Sequence, residues 1–201
     1  MPKKVDHDER RKEIAGAVGR LATENGLQGV SFREVAAEAG VSVALVQHYF
    51  GTKENLLVTT LDLHSAQMAE RIAADLVSLG ADAEPLDRIR AVTTAFLPTD
   101  AASRDAMLLY LGFGAAALTD DALRSAAAFR NGTGLMAYLA SELTQARDAG
   151  RLADGVDPEV EGLALVALLL GLSLSVLLDQ VELDSARAAV DGHLGRLARD
   201  Q

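Results

Sequence analysis

Apolar residues recur three or four positions apart along most of the chain, which is the spacing of one face of an α helix. Ile14, Val18 and Leu21 keep this spacing and predict a first helix, while a longer stripe from Leu57 to Leu79 predicts a long fourth one. The whole pattern predicts an all-α fold of about nine helices, over residues 8–25, 31–39, 42–50, 52–79, 86–98, 107–118, 119–150, 157–180 and 184–199.

Local signals indicate where several of these helices begin. Ser31 and Glu34 have the spacing of a capping box, and Ser42 is suited to cap the next helix. Gly40 between them can adopt the positive φ of a tight turn. The second and third helices therefore fit a helix-turn-helix, although a generic three-helix core shows the same pattern. In the seventh helix, residues 131–134 read Asn-Gly-Thr-Gly and predict a kink or break.

The stretch from Gly162 to Leu178 contains 17 residues without a charge. A membrane span needs about 20 residues, and the flanks here are acidic instead of basic or aromatic, so we predict no membrane span. A helix that is apolar on all sides is buried on all sides. In a chain of this size we expect a second copy to cover its outer face, with the central helix of a monomer as the alternative.

Composition agrees with a globular helical chain. The 201 residues are 49% hydrophobic and 24% charged, and they include four prolines. The absence of cysteine excludes disulfides, a thiolate nucleophile and a Cys-ligated zinc site. Because the N-terminus shows no apolar signal segment, we expect a cytoplasmic protein.

The formal net charge of −10 is unevenly distributed. Residues 1–60 hold eight basic and eight acidic side chains, whereas residues 61–201 hold 11 basic and 21 acidic ones. DNA binding depends on local charge, so a neutral N-terminal segment can approach phosphates while the acidic remainder stays clear of them. The charge pattern thus permits a nucleic-acid partner.

Residues 31–57 carry a specific motif, S-F-R-E-V-A-A-E-A-G-V-S-V-A-L-V-Q-H-Y-F-G-T-K-E-N-L-L. With its A-G-V-S, H-Y-F and T-K-E-N-L-L elements in register, the segment 8–57 resembles the TetR family of one-component transcriptional regulators. The letters V-Q-H-Y-F also resemble the BetI-like branch. The rest of the chain is similar to the family in layout, with a long linking helix followed by five helices of which the eighth overall is apolar.

The resemblance implies a two-part homodimer. It implies a helix-turn-helix DNA-binding domain at residues 1–51 and an effector-binding and dimerisation domain at 52–201, with the dimer formed by the helices near 158–180 and 184–199. The implied function is a repressor that binds a pseudo-palindromic operator and is released by a small-molecule effector. The alternatives are an activating or effector-independent DNA-binding protein, and a small-molecule-binding protein that has lost DNA binding.

The resemblance also implies which side chains contact DNA. Arg33, Tyr49 and Lys53 suit phosphate oxygens, and Arg33 could instead reach a guanine edge. Gln47 can bind adenine with two hydrogen bonds, and His48 can donate to a base or a phosphate. The full predicted set is Ser31, Arg33, Ser42, Val43, Ala44, Gln47, His48, Tyr49 and Lys53.

Two of these positions depart from the common family sequence. Many relatives have a polar or basic residue in place of Val43 and a tyrosine in place of Gln47, which bears on the operator that is read. Tyr49 has a second interpretation as a partly buried core residue. A basic arm could enter the minor groove, but nearby acidic residues dilute its charge and leave a solvated terminus as the alternative. Its members are Lys3, Lys4, Arg10, Arg11 and Lys12.

For the larger domain, the resemblance implies an effector cavity between the fifth and eighth helices. Arg130 could anchor an anionic ligand or lie exposed. A full aromatic cage for a quaternary ammonium is harder to build without tryptophan, so choline is not favoured. Candidates by residue type, although residues of these types more often belong to a plain core, are Phe96, Met107, Tyr110, Phe113, Phe129, Met136 and Tyr138.

Signals for catalysis are weak throughout the sequence. The four histidines have no His partner four residues away, and the segment Gly112 to Ala117 matches a dinucleotide fingerprint without the strand that should precede it. No nucleophile elbow or phosphate loop occurs. We therefore predict a protein that is not an enzyme and that needs no metal or cofactor.

Overall fold

The computed structural model describes residues 7–125 and 127–199, except for the side chains of residue 122 and residues 127–133. Over these residues the chain is helical, with one isolated antiparallel bridge between Leu152 and Ala198, so the predicted all-α fold is confirmed. A short 3-10 turn covers Leu27–Gly29. The helices are α1 (His7–Asn25), α2 (Phe32–Glu38), α3 (Val43–Phe50), α4 (Lys53–Ser78), α5 (Pro85–Phe96), α6 (Ala101–Ala117), α7 (Asp121–Arg124), α8 (Ala127–Asp148), α9 (Pro158–Leu177) and α10 (Leu183–Leu197).

The chain divides into two compact units. The first contains Met1–Gln67 and Leu108–Phe129, and the second contains Met68–Met107 and Arg130–Gln201. Helices α4, α6 and α8 therefore each contribute residues to both units. The sequence predicts DNA binding by residues 1–51, and effector binding and dimerisation by residues 52–201. The two compact units are defined by packing and do not test these roles, so the predicted domains stay a prediction.

The core of the first unit is built from helical stripes that the sequence pattern predicts. Ile14 and Val18 of α1, Val46 of α3 and Leu56 of α4 are fully buried, and Phe113 of α6 is buried among them. Burying one such side chain contributes about 1.5–3 kcal/mol. Because α1, α2, α3 and the start of α4 share this core, the first three helices are held in a fixed arrangement.

In the second unit, α9 buries one stripe and exposes another. Gly162, Leu165 and Leu169 lie on the buried stripe, while Val160 and Leu163 lie on the exposed one. By length and composition alone, α9 could span a membrane. In the structure its inner stripe packs instead against side chains of α5, α8 and α10, including those of Ile89, Leu139, Leu143, Val190 and Leu194.

Helix α6 begins at Ala101, six residues before the predicted start at 107. The reason is a reciprocal cap: the Ser103 amide donates to Asp100 Oδ1 at 2.7 Å, and the Asp100 amide donates to Ser103 Oγ at 3.0 Å. The amide and the hydroxyl of Ser103 both donate to the Asp100 carboxylate, and these two hydrogen bonds lower the pKa of Asp100. The apolar stripe starts only at Met107, so periodicity alone placed the helix start too late.

The predicted seventh helix, 119–150, is two helices, because α7 ends at Arg124 and α8 begins at Ala127. Helix α8 is continuous through residues 131–134, where the sequence predicted a kink or break, so the interruption was placed too far along the chain. A glycine inside a helix costs only about 1 kcal/mol, and the buried Leu139 and Leu143 further along α8 offset that cost. Helix α10 ends at Leu197, two residues before the predicted end, since Ala198 pairs with Leu152.

A close approach of backbones at Gly162 gives a test of this packing. A Cβ at Gly162 would lie 2.9 Å from the Met136 carbonyl oxygen and 3.2 Å from the Ala140 amide nitrogen. Neither backbone atom can move without shifting α8, so we expect Gly162→Ala to destabilise the protein by about 1–3 kcal/mol. Gly134→Ala on α8 is the matched control, because a Cβ there meets nothing within 4 Å. Thermal unfolding checks both variants, and an unchanged midpoint for Gly162→Ala would contradict the packing.

Candidate nucleic-acid interface

Helices α2 and α3 form a helix-turn-helix whose ends are fixed by side-chain caps. Ser31 Oγ accepts a hydrogen bond from the Glu34 amide at 3.3 Å, and Ser42 Oγ accepts one from the Leu45 amide at 3.2 Å. Gly40 between the helices has φ of 65°, in the left-handed region that favours glycine. Both short helices therefore start where the sequence predicts, with a tight turn between them.

Helix α3, the second helix of the helix-turn-helix, has one buried face and one exposed face. Val46 and Phe50 are in the core of the first unit. On the opposite face, four predicted contact residues are exposed and share one side of the helix at successive turns: Val43, Ala44, Gln47 and His48. The structure thus brings together the residues for which base contact was predicted, and Ser42 is exposed at the start of the same helix.

Two predicted phosphate ligands are exposed beside this face. Arg33 lies in the first turn of α2, and Lys53 is the first residue of α4. Among the ion pairs of the described residues, neither side chain has a carboxylate partner, whereas Arg20 of α1 is paired with Glu38 at 2.6 Å. Arg33 and Lys53 therefore carry positive charge that is available to an anion.

The structure describes only part of the predicted basic arm. Lys3 and Lys4 lie outside the described residues. Arg10 pairs with Glu13 at 2.5 Å, and Arg11 donates to the Tyr49 carbonyl oxygen at 3.3 Å. Two of the five cations thus have partners within the protein. The minor-groove role stays a prediction.

Tyr49 connects the end of α3 to the start of α1. Its ring is partly buried against the core, as the second interpretation of this residue anticipated, and its hydroxyl oxygen lies 2.9 Å from His7 Nδ1. The sequence gave no sign of this contact, because the two residues are 42 positions apart and His7 follows no motif. His7 therefore contacts a candidate interface residue, and sequence reasoning missed it.

The seven predicted effector residues are divided between the two units. Phe113 is fully buried in the core of the first unit, and Tyr110 is half-buried there. Met107 is buried, while Phe96, Met136 and Tyr138 are half-buried, all in the second unit. The side chains of Phe129 and Arg130 lie outside the described residues. The structure does not assemble the set into one site within either unit, and their ligand role stays a prediction.

Tyr138 is the most unusual of these residues. Its hydroxyl oxygen is buried and makes no well-formed hydrogen bond to a described residue, although Glu142 is near enough to act on its pKa. Burial, followed by the charge of Glu142, raises the pKa of Tyr138 to about 12, so the hydroxyl is a neutral donor at physiological pH. Glu142 itself is 6% exposed and is paired with Arg88 at 2.7 Å, which also raises the pKa of Arg88.

The second unit also has an open groove of about 580 Å³ between the second half of α4 and α5. Arg71, Asp75, Asp87 and Arg90 give it a charged rim, and Met68, Ala91 and Ala95 contribute apolar surface. None of the seven predicted effector residues lines this groove. It is a second candidate for small-molecule binding that the sequence did not indicate. The described residues contain no group of His, Asp or Glu side chains suited to a metal ion.

Comparisons with known proteins agree with the helix-turn-helix geometry. A family model described as bacterial regulatory proteins, tetR family, matches residues 15–59, and one described as BetI-type transcriptional repressor, C-terminal, matches residues 85–199. The HTH-type transcriptional regulator PksA of Bacillus subtilis is 31% identical over 190 residues, which are 93% of this chain and 88% of that protein. The chain belongs to the TetR family of transcriptional regulators.

Further relatives support this TetR-family assignment. The HTH-type transcriptional regulator BetI of Paraburkholderia phymatum is 32% identical over 179 residues, covering 85% of this chain and 87% of that protein. A solved putative TetR-family regulator from Rhodococcus sp. shares the fold with a TM-score of 0.82 at 23% identity, over 96% of this chain and 100% of its own. A putative regulator from Saccharomonospora viridis, solved with choline, has a TM-score of 0.87 at 21% identity and the same coverage.

The family assignment confirms two predictions made from the sequence. The resemblance of residues 8–57 to the TetR family is confirmed, and the C-terminal match also bears out the BetI-like wording. The matched family and the relatives are transcriptional regulators and not enzymes, as predicted.

The first unit of this TetR-family chain contains a titratable group between α1 and α4. His64 of α4 lies against Gly19 of α1, where an added Cβ would be 2.8 Å from His64 Nε2. Burial lowers the pKa of His64 below its ordinary value of 6.5, opposed by a hydrogen bond with the Ala15 backbone.

This burial predicts a pH dependence of stability. The unfolded chain binds a proton at His64 more readily than the folded chain, so the free energy of unfolding falls as the pH drops below about 6.5. We expect His64→Leu to make this fall shallower, because the variant has no imidazole to protonate. Urea unfolding of both proteins at a series of pH values from about 5 to about 7.5 measures the difference. Parallel curves for the two proteins would show that His64 contributes nothing to the slope.

Proposed function

We propose that this TetR-family chain is a ligand-responsive repressor that binds a pseudo-palindromic DNA operator as a homodimer and is released by a small-molecule effector. The observation that carries the proposal is the exposed face of α3, held by a buried opposite face, together with the exposed cations Arg33 and Lys53, which have no carboxylate partner among the described residues. Regulators of this family bind DNA operators, and we place the protein in the cytoplasm, where its DNA lies.

The contacts fall into two classes by chemistry. One class of side chains binds phosphate oxygens, and these contacts fix the position of the protein on the duplex. Its members are Ser31, Arg33, Tyr49 and Lys53. Residues of α3 face the major groove, where Gln47 can read adenine through two hydrogen bonds. Val43 or Ala44 can pack on a thymine methyl group, while Ser42 and His48 supply polar contacts at the two ends of the helix.

Dimerisation is supported by the surfaces of α9 and α10. Val160, Leu163, Leu174 and Leu178 form an apolar stripe that is about half exposed or more. On α10, a neighbouring helix in the same unit, small residues are exposed at helical spacing: Ala188, Gly192 and Gly195. A two-fold axis through these helices would bury the apolar stripe and let the partner backbone approach the small residues closely.

Effector binding is assigned to the second unit. The buried Tyr138 hydroxyl, a neutral donor beside the Arg88–Glu142 pair, supports a ligand with a hydrogen-bond acceptor, and the groove between α4 and α5 offers a second location. Release requires the effector to bind more tightly to a conformation in which the two recognition helices no longer match successive major grooves, about 34–36 Å apart. Equal affinity for both conformations would release nothing.

The DNA-binding roles are tested by selecting bound sequences from a random duplex library with the purified protein at two salt concentrations. We expect a two-fold symmetric motif. Arg33→Ala should weaken binding to all duplexes and lower the slope of log affinity against log salt by about one, whereas Gln47→Ala should relax selection at one base position of each half-site. Arg104→Ala on α6 makes the same charge change at an exposed position outside the proposed interface and should stay within about twofold of the original protein.

Failure to enrich any motif, repeated with refolded protein to remove a carried-over effector, would favour a small-molecule-binding protein that has lost sequence-specific DNA binding. Enrichment of a symmetric motif together with unchanged affinity of both variants would retain the function and overturn the residue roles.

The dimer is tested by placing a charge on the α9 stripe. Leu163 is 58% exposed in the single chain, so Leu163→Glu should leave the monomer folded but bury a carboxylate in the dimer. We expect sedimentation to show monomers and operator affinity to fall by at least about tenfold. Val77→Glu is the matched control, since Val77 is 81% exposed on α4, away from the stripe. A Leu163→Glu protein that still sediments as a dimer would exclude this surface.

A further inference from the structure

The start of α1 is joined to the last turn of α3 by four contacts, two made by His7 and two by Arg11. His7 Nδ1 and the Tyr49 hydroxyl share a hydrogen bond of 2.9 Å, and the two rings are 5.7 Å apart between centroids. Arg11, one turn further along α1, donates to the Tyr49 carbonyl oxygen at 3.3 Å. The Arg11 guanidinium also lies 6.0 Å from the centroid of the Phe50 ring. The end of the recognition helix is therefore attached to α1 through both a side chain and a backbone group.

The hydrogen-bonding capacity of a tyrosine hydroxyl makes the His7 contact compatible with a phosphate. A hydroxyl has one proton to donate and two lone pairs that accept. When Tyr49 donates its proton to a phosphate oxygen, its own oxygen remains free to accept from His7 in the tautomer that carries a proton on Nδ1. The chain then runs from His7 Nδ1–H to the Tyr49 oxygen and from the Tyr49 O–H to the phosphate, and each bond polarises the next.

The same geometry restricts the Tyr49 hydroxyl before DNA is bound. A tyrosine hydroxyl without a partner rotates about its C–O bond, and that freedom is lost when it binds a phosphate. With a proton on His7 Nδ1, the bond from His7 occupies one lone pair of the Tyr49 oxygen and limits the positions that the hydroxyl proton can take. The Tyr49 hydroxyl therefore loses less rotational freedom when it binds a phosphate than it would without His7.

We propose that His7 is a positioning residue for the phosphate contact of Tyr49, acting through the Tyr49 hydroxyl and not by touching the DNA itself. This inference rests on the proposed function, because it assumes that Tyr49 binds a phosphate of duplex DNA. It gives the first turn of α1 an indirect role in DNA binding, through the orientation of the Tyr49 hydroxyl.

The test is a double-mutant cycle on affinity for a duplex of about 30 base pairs that carries the motif enriched from the random library. We expect His7→Ala to weaken binding about fivefold, which is the usual net value of one hydrogen bond, and Tyr49→Phe to weaken it about tenfold. The double variant should bind like Tyr49→Phe alone, since His7 has nothing to position once the hydroxyl is absent. Effects that multiply in the double variant would overturn the proposal.

Two substitutions separate positioning from simple packing. The side-chain amide of asparagine occupies nearly the place of histidine Nδ1, whereas that of glutamine reaches nearly the place of Nε2. We therefore expect His7→Asn to bind within about twofold of the original protein and His7→Gln to be as weak as His7→Ala, about fivefold down. Equal affinities of the Asn and Gln variants would overturn the proposal even if His7→Ala lowered the stability of α1.

Separate controls distinguish a failure of the role of His7 from a failure of DNA binding itself. Glu24→Gln, at the exposed far end of α1, should leave both affinity and the thermal midpoint unchanged. If the original protein enriches no motif and binds no duplex, the proposed function fails. If the original protein binds and His7→Ala binds equally well, only the role of His7 fails.

Discussion

The burial of one face of α3 is the constraint on which the rest of the DNA-binding surface depends. Val46 and Phe50 are held in a core shared with α1, α2 and α4, and each contributes about 1.5–3 kcal/mol through burial. The pitch of an α helix then determines which residues face outwards, so Gln47 and His48 are exposed because Val46 and Phe50 are not. The face proposed to read the DNA sequence and the face that packs in the core are thus opposite sides of one eight-residue helix.

Several exposed arginines of the second unit are paired with carboxylates, whereas two exposed cations of the first unit are not. In the second unit, Arg71, Arg90 and Arg151 pair with carboxylates at 3.0–3.4 Å. Exposed pairs of this kind contribute little to stability, but each cancels a positive charge that would otherwise attract phosphate. Arg33 and Lys53 have no such partner among the described residues. A protein with a net charge of −10 can therefore leave individual cations available where DNA is expected.

The features that could be predicted from the sequence are those that depend on residues close together in the chain. Ser31, Ser42 and Asp157 each cap a helix through atoms two or three residues away, so their roles are visible in a short window. Asp100 caps α6 in the same local way, through the Ser103 amide, but no apolar stripe follows it at once, and the start of that helix was missed. His7 and Tyr49 meet only because α1 and α3 pack together, and the divided positions of Phe113 and Tyr138 likewise follow from tertiary structure. Residue type alone cannot reveal such relationships.

In the proposed dimer, the two apolar faces of α9 would make the stability of the protein depend on its amount in the cell. Its inner stripe is satisfied within one chain, whereas Leu163 and Leu178 stay in water until another chain covers them. In the proposed dimer, association adds to the free energy of unfolding by mass action, so resistance to heat and proteolysis rises with protein concentration. A newly made chain at low abundance is then both poorly protected and unable to span two half-sites. The level of the regulator would set its lifetime as well as its occupancy of the operator.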